Sequence, residues 1–276
     1  MYILFQHSAT ETETMNTEKL RENFLLQNLM EADKITLTYT HYDRMIAGTA
    51  MPVSAALTLQ NEDELKSSYF LERREMGIIN VGGTGKVIAD GIEYLLEKLD
   101  CVYVGKETRD VQFISVDAAN PAAYFLLSAP AHQNYPNAML KKAQATPVKL
   151  GDAATGNVRT IYKYIHLNGI KSCQLVMGLT VLQDGSVWNS VPPHTHTRRS
   201  EIYFYFDLPA AHTIFHFMGL PQQTRHLAVS NYQAIVSPPW SVHFGCGTMN
   251  YSFIWAMAGE NQTFEDMDAA PLKSLL

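Results

Sequence analysis

Pro192-Pro-His-Thr-His-Thr-Arg-Arg-Ser-Glu-Ile-Tyr-Phe-Tyr-Phe206 is the stretch on which the fold turns. In extended backbone the side chains alternate between faces, so His194 and His196 point the same way with Cα atoms roughly 7 Å apart. A metal ion about 2.0 to 2.2 Å from each ligand atom bridges that gap. Glu201 stands at an odd offset from His196 and would face the other way on an unbroken strand, so the strand has to break at Thr197-Arg-Arg-Ser200. Glu201–Phe206 is then β-branched and aromatic, the composition of a new strand that returns Glu201 to the histidines. With His243 downstream, His194, His196 and Glu201 make a set of three imidazoles and one carboxylate, donors suited to a divalent metal. His7, His41, His132, His166, His212, His216 and His226 lack such an arrangement and read as structural or surface groups. His212 and His216, four residues apart, share a face and form a second, less complete candidate.

Outward from this stretch, most of the chain has the grammar of short strands. Residues 17–31 are the exception: Leu20, Phe24 and the leucines that follow recur at helical spacing behind Glu18, which predicts one amphipathic helix. Strand-like runs follow at Lys34–Tyr39, Gly77–Val81 and Lys86–Ala89, and again from Arg159 to Met257. Asp90-Gly91 and Asp184-Gly185 are two-residue hairpin signals between such runs. A Pro-, Gly- and Asp-bearing stretch near Thr146–Thr155 separates the two series. The fold class expected is therefore mainly β, two jelly-roll barrels in tandem with a few short helices, divided as 1–150 and 151–276. Only the second carries the proposed ligands, and a double-sheet barrel gives them an interior to point into. Gly82-Gly-Thr-Gly-Lys86 superficially matches a phosphate loop, but Val87 replaces the magnesium-binding Ser or Thr, and the context predicts a hairpin connection.

Composition narrows the function classes. The chain has 276 residues, 46% of them hydrophobic and 17% charged, with a net charge of −6, which disfavours nucleic acid and anionic membranes as partners. No apolar run approaches the length that spans a bilayer. Tyr2-Ile-Leu-Phe5 is too short for a signal peptide core, so a cytoplasmic location is expected. Cys101, Cys173 and Cys246 are widely spaced, which argues against a disulfide framework and against a thiolate zinc site. An anionic substrate would need local arginines, and Arg198-Arg199 beside the ligands are such a pair.

A His-x-His, a Glu shortly after it and a later His resemble the ligand pattern of the cupin superfamily, whose barrels are jelly rolls. Trp188 and Trp240 stand where generic cupin motifs have glycine, and fit a narrower group. Pro192–Phe206 closely resembles the metal motif of the 4-deoxy-L-threo-5-hexosulose-uronate ketol-isomerase family. Tyr69-Phe-Leu-Glu-Arg-Arg-Glu-Met-Gly77, Tyr103-Val-Gly-Lys106, Ala129-Pro-Ala-His-Gln-Asn-Tyr-Pro136, Pro221-Gln-Gln-Thr-Arg-His226 and Phe253-Ile-Trp-Ala-Met-Ala-Gly-Glu-Asn261 resemble family segments in the same order. The resemblance implies a hexameric enzyme of pectin and uronate breakdown with one Zn2+ per subunit, held by His194, His196, Glu201 and His243. Its reaction would convert 5-dehydro-4-deoxy-D-glucuronate, a small keto-deoxyuronate, to 3-deoxy-D-glycero-2,5-hexodiulosonate by aldose–ketose isomerisation. For that reaction Glu201 is the candidate proton shuttle, and Tyr203 and Tyr205, of the same strand parity, are the alternatives. Arg199 and Arg225 are the candidates for the substrate carboxylate. The competing expectations are a metal-dependent cupin dioxygenase using iron or manganese, and a sugar-binding cupin without catalysis.

Overall fold

In the computed structural model, which describes residues 1–276, the chain divides into two compact units. The first comprises Met1–Leu4, Leu29–Thr146 and Tyr164–Met177; the second comprises Phe5–Asn28, Pro147–Lys163 and Gly178–Leu276. Each is built on a seven-stranded and a four-stranded sheet. The mainly β class expected from the sequence is what is found, with α-helix confined to Ala9–Glu13 and Thr17–Phe24.

In the first unit, side chains from the two sheets share one core. Leu37, Ile78, Val102 and Leu126 of the larger sheet meet Val87, Leu96 and Phe113 of the smaller. Each such side chain, once fully buried, contributes about 1.5 to 3 kcal/mol. Asp90 and Gly91 do make the expected hairpin, with φ of 47° and 79°, between Gly85–Ala89 and Ile92–Leu96. That is the left-handed pair a type I′ turn requires. The Gly82–Lys86 stretch is not a hairpin: it carries the chain from Arg74–Asn80 in the larger sheet to Gly85–Ala89 in the smaller. Asn80 fastens this crossing, donating to the carbonyls of Gly83 and Leu96 and accepting from the Gly82 N–H. A Cβ on Gly83 would collide with the Asn120 carbonyl, which explains the glycine there.

Glu75 is wholly buried in this unit without a cationic partner. Its carboxylate accepts from the Tyr103 hydroxyl at 2.8 Å and from the N–H groups of Cys173, Gln174 and Leu175 at 2.7, 2.8 and 3.1 Å. Glu75→Ala would strand four buried donors. It is expected to lower unfolding free energy by on the order of 3 kcal/mol, measured by urea denaturation, and an unchanged midpoint would refute this role for the carboxylate.

Residues 17–31 depart from expectation. The helix, capped by the Asn16 side chain, stops at Phe24, and Leu25–Leu26 continue as a strand paired with Ile235 and Ala234. The leucines are buried as predicted, but by a sheet edge instead of a helical face. Asp184-Gly185 is likewise a turn without a hairpin, because Val176–Leu182 lies in the seven-stranded sheet and Trp188–Asn189 pairs with Phe244–Gly247 in the four-stranded one.

Arg199–Phe206 runs through the middle of the second unit's larger sheet, between Ser252–Gly259 and Ala234–Ser237. Both of its faces are buried. Phe204 and Phe206 stack together on one side, while Glu201, Tyr203 and Tyr205 share the other with Phe253.

Candidate metal centre

His194 and Thr195 form a two-residue strand paired with Asp268 and Ala269, and His196 lies just beyond it. The break comes almost at once. The Arg199 N–H donates to the His196 carbonyl, closing a tight turn, and the next strand starts at Arg199. Glu201, opposite Ser237 and Met257, is then carried back to the histidines. His243 enters from the segment between Ala234–Ser237 and Phe244–Gly247.

The four groups expected to converge do so. His194, His196 and His243 present ligand nitrogens within 4.8 Å of one another. Nε2 of His243 is 3.0 Å from Nε2 of His194 and 3.2 Å from Oε2 of Glu201, and Nε2 of His196 is 3.0 Å from that same oxygen.

The protons on these rings are committed elsewhere. Nδ1 of His196 lies 3.0 Å from the Arg199 carbonyl, and Nδ1 of His243 lies 3.2 Å from the Ser241 carbonyl with the Ser237 hydroxyl at 3.3 Å. A carbonyl only accepts, so in a neutral ring Nδ1 carries the hydrogen and Nε2 a lone pair. Burial favours the neutral form of two of the rings: it pulls His194 down to about 4 against the attraction of Glu201, and takes His243 well below the ordinary histidine value. Three ring nitrogens and a carboxylate oxygen, all acceptors when the rings are neutral with hydrogen on Nδ1, therefore crowd together and repel one another. A divalent cation turns that repulsion into attraction, and the N3O donor set fits one.

The site opens on a cavity of about 410 Å3. Tyr203 lines it, with its hydroxyl 3.2 Å from that of Ser190. Burial, then the Glu201 charge, raise the Tyr203 phenol well above its usual value, so it remains protonated. Tyr205 is turned to His216, 2.6 Å from its Nδ1, and does not line the cavity. His212 bonds Thr248, so the second histidine pair does not assemble.

Arg199 also lines the cavity; its Nη1 and Nη2 donate to the loop carbonyls of Thr263, Phe264 and Asp266, while its buried Nε has no partner. Arg198 holds the same loop through Asp266 and Asp268 at 2.7 and 3.0 Å. Together the two arginines fix Phe264 and Met267 into the cavity wall. Arg225 is outside that wall and donates to the Glu13 carbonyl. Arg159, not singled out from the sequence, is half-buried in the wall, donates only to the Asn157 carbonyl and has no carboxylate partner. Its place in an ordinary alternating strand left no local signal. A Cβ at Gly178 would collide with the ring of Trp255, another wall residue, so glycine is what lets that indole close the cavity.

Residues 24–272 match the KduI/IolB family. The chain belongs to that family. Relatives similar to it include proteins named 4-deoxy-L-threo-5-hexosulose-uronate ketol-isomerase from Halalkalibacterium halodurans, 52% identical with 97% of each chain covered, and from Caldicellulosiruptor bescii, 49% identical over the whole of both. Among solved structures, an IolB-like protein of Salmonella typhimurium is similar at 14% identity, with a TM-score of 0.68 over 87% of this chain and 94% of that one. Bacillus subtilis oxalate decarboxylase gives a TM-score of 0.56 at 8% identity, over 81% of this chain and 71% of that one. At such identities the KduI/IolB chain shares the cupin-like fold with these two structures, and the comparison extends no further.

Proposed function

We propose that this protein is a ketol-isomerase converting 5-dehydro-4-deoxy-D-glucuronate to 3-deoxy-D-glycero-2,5-hexodiulosonate, with a zinc ion held by His194, His196, Glu201 and His243. The observation that carries this is the meeting of three imidazole nitrogens and one carboxylate beside a cavity that also holds a guanidinium without a carboxylate partner. The relatives' names support the substrate and the reaction. From the resemblance come one ion per subunit, a hexamer and a free small-molecule substrate.

The reaction moves a proton from the hydroxyl-bearing carbon to the neighbouring aldehyde carbon and the hydroxyl's proton to the aldehyde oxygen, leaving a ketone beside a new CH2OH. When bound, a divalent ion supplies Lewis-acid stabilisation of negative charge on the substrate's adjacent oxygens, without redox chemistry. The protein must supply a group that takes the proton from one carbon and returns it to the next. We assign this role to Glu201, with Tyr203, whose hydroxyl lies 3.2 Å from that of Ser190, as the group that passes or holds a proton. Phe253, Trp255, Phe264 and Met267 supply an apolar wall that limits water at the reacting carbons.

Arg159 is the partner we assign to the substrate carboxylate. Arg159→Met is expected to lower kcat/KM about 10- to 100-fold, chiefly through KM. Steady-state kinetics showing unchanged KM would remove Arg159 from that role. The reaction type is tested by incubating zinc-loaded protein with the keto-deoxyuronate in heavy water. NMR should show the ketose with deuterium entering at the former aldehyde carbon as proton transfer exchanges with solvent, whereas recovery of unconverted sugar would refute the assignment.

A further inference from the structure

The first unit contains its own cavity, of about 360 Å3, lined by none of the residues assigned to isomerisation above. Arg74 forms its inner wall and is only 7% exposed. Nε of Arg74 donates to the Ser128 hydroxyl at 3.0 Å, and Nη2 donates to the carbonyls of Arg44 and Ser128 at 2.6 and 3.0 Å. Nη1 has no partner in the protein, and no carboxylate lies within ion-pair distance of the group. Burial lowers the guanidinium to about 10, which still leaves it cationic at neutral pH. A buried cation without a counter-ion is costly unless something compensates it. Here the cavity side offers room for that something.

The neighbours specify its chemistry. Tyr39 sets its ring 6.0 Å from the guanidinium carbon, and Arg73 adds a second positive charge at the rim. Ser67 contributes a hydroxyl, while Glu64 contributes a negative charge. Glu64 disfavours a multiply charged anion such as phosphate, but accepts hydrogen bonds from hydroxyls. The volume is at the small end for ligand pockets, near about 300 Å3.

We propose that this cavity is a binding site for a small hydroxylated carboxylate, its carboxylate on Arg74 and Arg73 and its hydroxyls toward Tyr39, Ser67 and Glu64. Isothermal titration of D-galacturonate, D-galactose and inorganic phosphate into the full chain tests it. D-galacturonate should bind saturably, more tightly than phosphate and without competition from D-galactose. Arg74→Met should weaken it at least tenfold and Arg159→Met should leave it in place. Because Arg74 also ties two backbone carbonyls, Ser67→Trp serves as the second variant: it fills the cavity from the rim, keeps the guanidinium, and should weaken binding as much. Absence of saturable D-galacturonate binding, equal binding of D-galactose, tighter binding of phosphate, or insensitivity to both Arg74→Met and Ser67→Trp would each overturn the proposal.

Discussion

Replacing His243 by alanine should abolish the metal binding proposed for the second unit and lower kcat for isomerisation by about 10³ or more, the equivalent of several kcal/mol of Lewis-acid stabilisation. His243 is the ligand farthest in sequence from the other three, and its Nε2 touches both His194 and Glu201. Its removal leaves two imidazoles and a carboxylate facing a gap that water fills. The fold should survive, because the strands around it are held by aromatic packing of Tyr203, Phe253 and their neighbours. Metal counting by mass spectrometry, with kinetics on the same preparation, reads both effects. A His243→Ala protein that is metal-free yet isomerises at the normal rate would show that the quartet has no part in turnover.

Glu201→Gln is expected to separate chemistry from binding. The amide keeps the size of the side chain but cannot take a proton, so kcat should fall by about 10² to 10⁴ while KM stays within a few-fold. Tyr203 gives an internal comparison: Tyr203→Phe removes the proposed relay hydroxyl and leaves Glu201 in place, so a smaller loss in kcat is expected. Retention of metal in Glu201→Gln has to be measured alongside. Near-normal turnover in a metal-replete Glu201→Gln protein would pass the proton-transfer role to another group.

Much of this site is legible in one stretch of residues, because strand parity is a local rule. His194 and His196 share a face, and the odd offset to Glu201 demands a break, which the chain makes at once by starting the next strand at Arg199. The mainly β fold is legible for the same reason, since alternating runs and a turn such as Asp90-Gly91 carry their own geometry. What is not legible depends on partners distant in sequence. Leu25 and Leu26 fit a helical period, but an available sheet edge at Ala234 and Ile235 claims them. Asp184-Gly185 has hairpin chemistry, and the strands on either side nevertheless belong to different sheets. The arginines show the same limit. Arg199 is next to the ligands in sequence, but loop carbonyls take up its guanidinium, whereas Arg159 reaches the cavity from a strand some forty residues earlier.

Glu75 and Arg74, adjacent in the chain, illustrate two treatments of buried charge. Four donors enclose the Glu75 carboxylate, so it is internally satisfied. Arg74 keeps one nitrogen unspent toward a cavity. The first arrangement stabilises a fold, and the second leaves room for a ligand.

X-ray absorption at the zinc edge of catalytically active protein, combined with a metal count, addresses the quartet most directly. One zinc per chain is predicted, in a first shell of nitrogen and oxygen at about 2.0 to 2.2 Å with imidazole outer-shell scattering, and both the ion and its activity should vanish together in His194→Ala and His243→Ala. Full isomerase activity in protein holding no divalent metal, or a bound ion whose shell lacks imidazole, would contradict it.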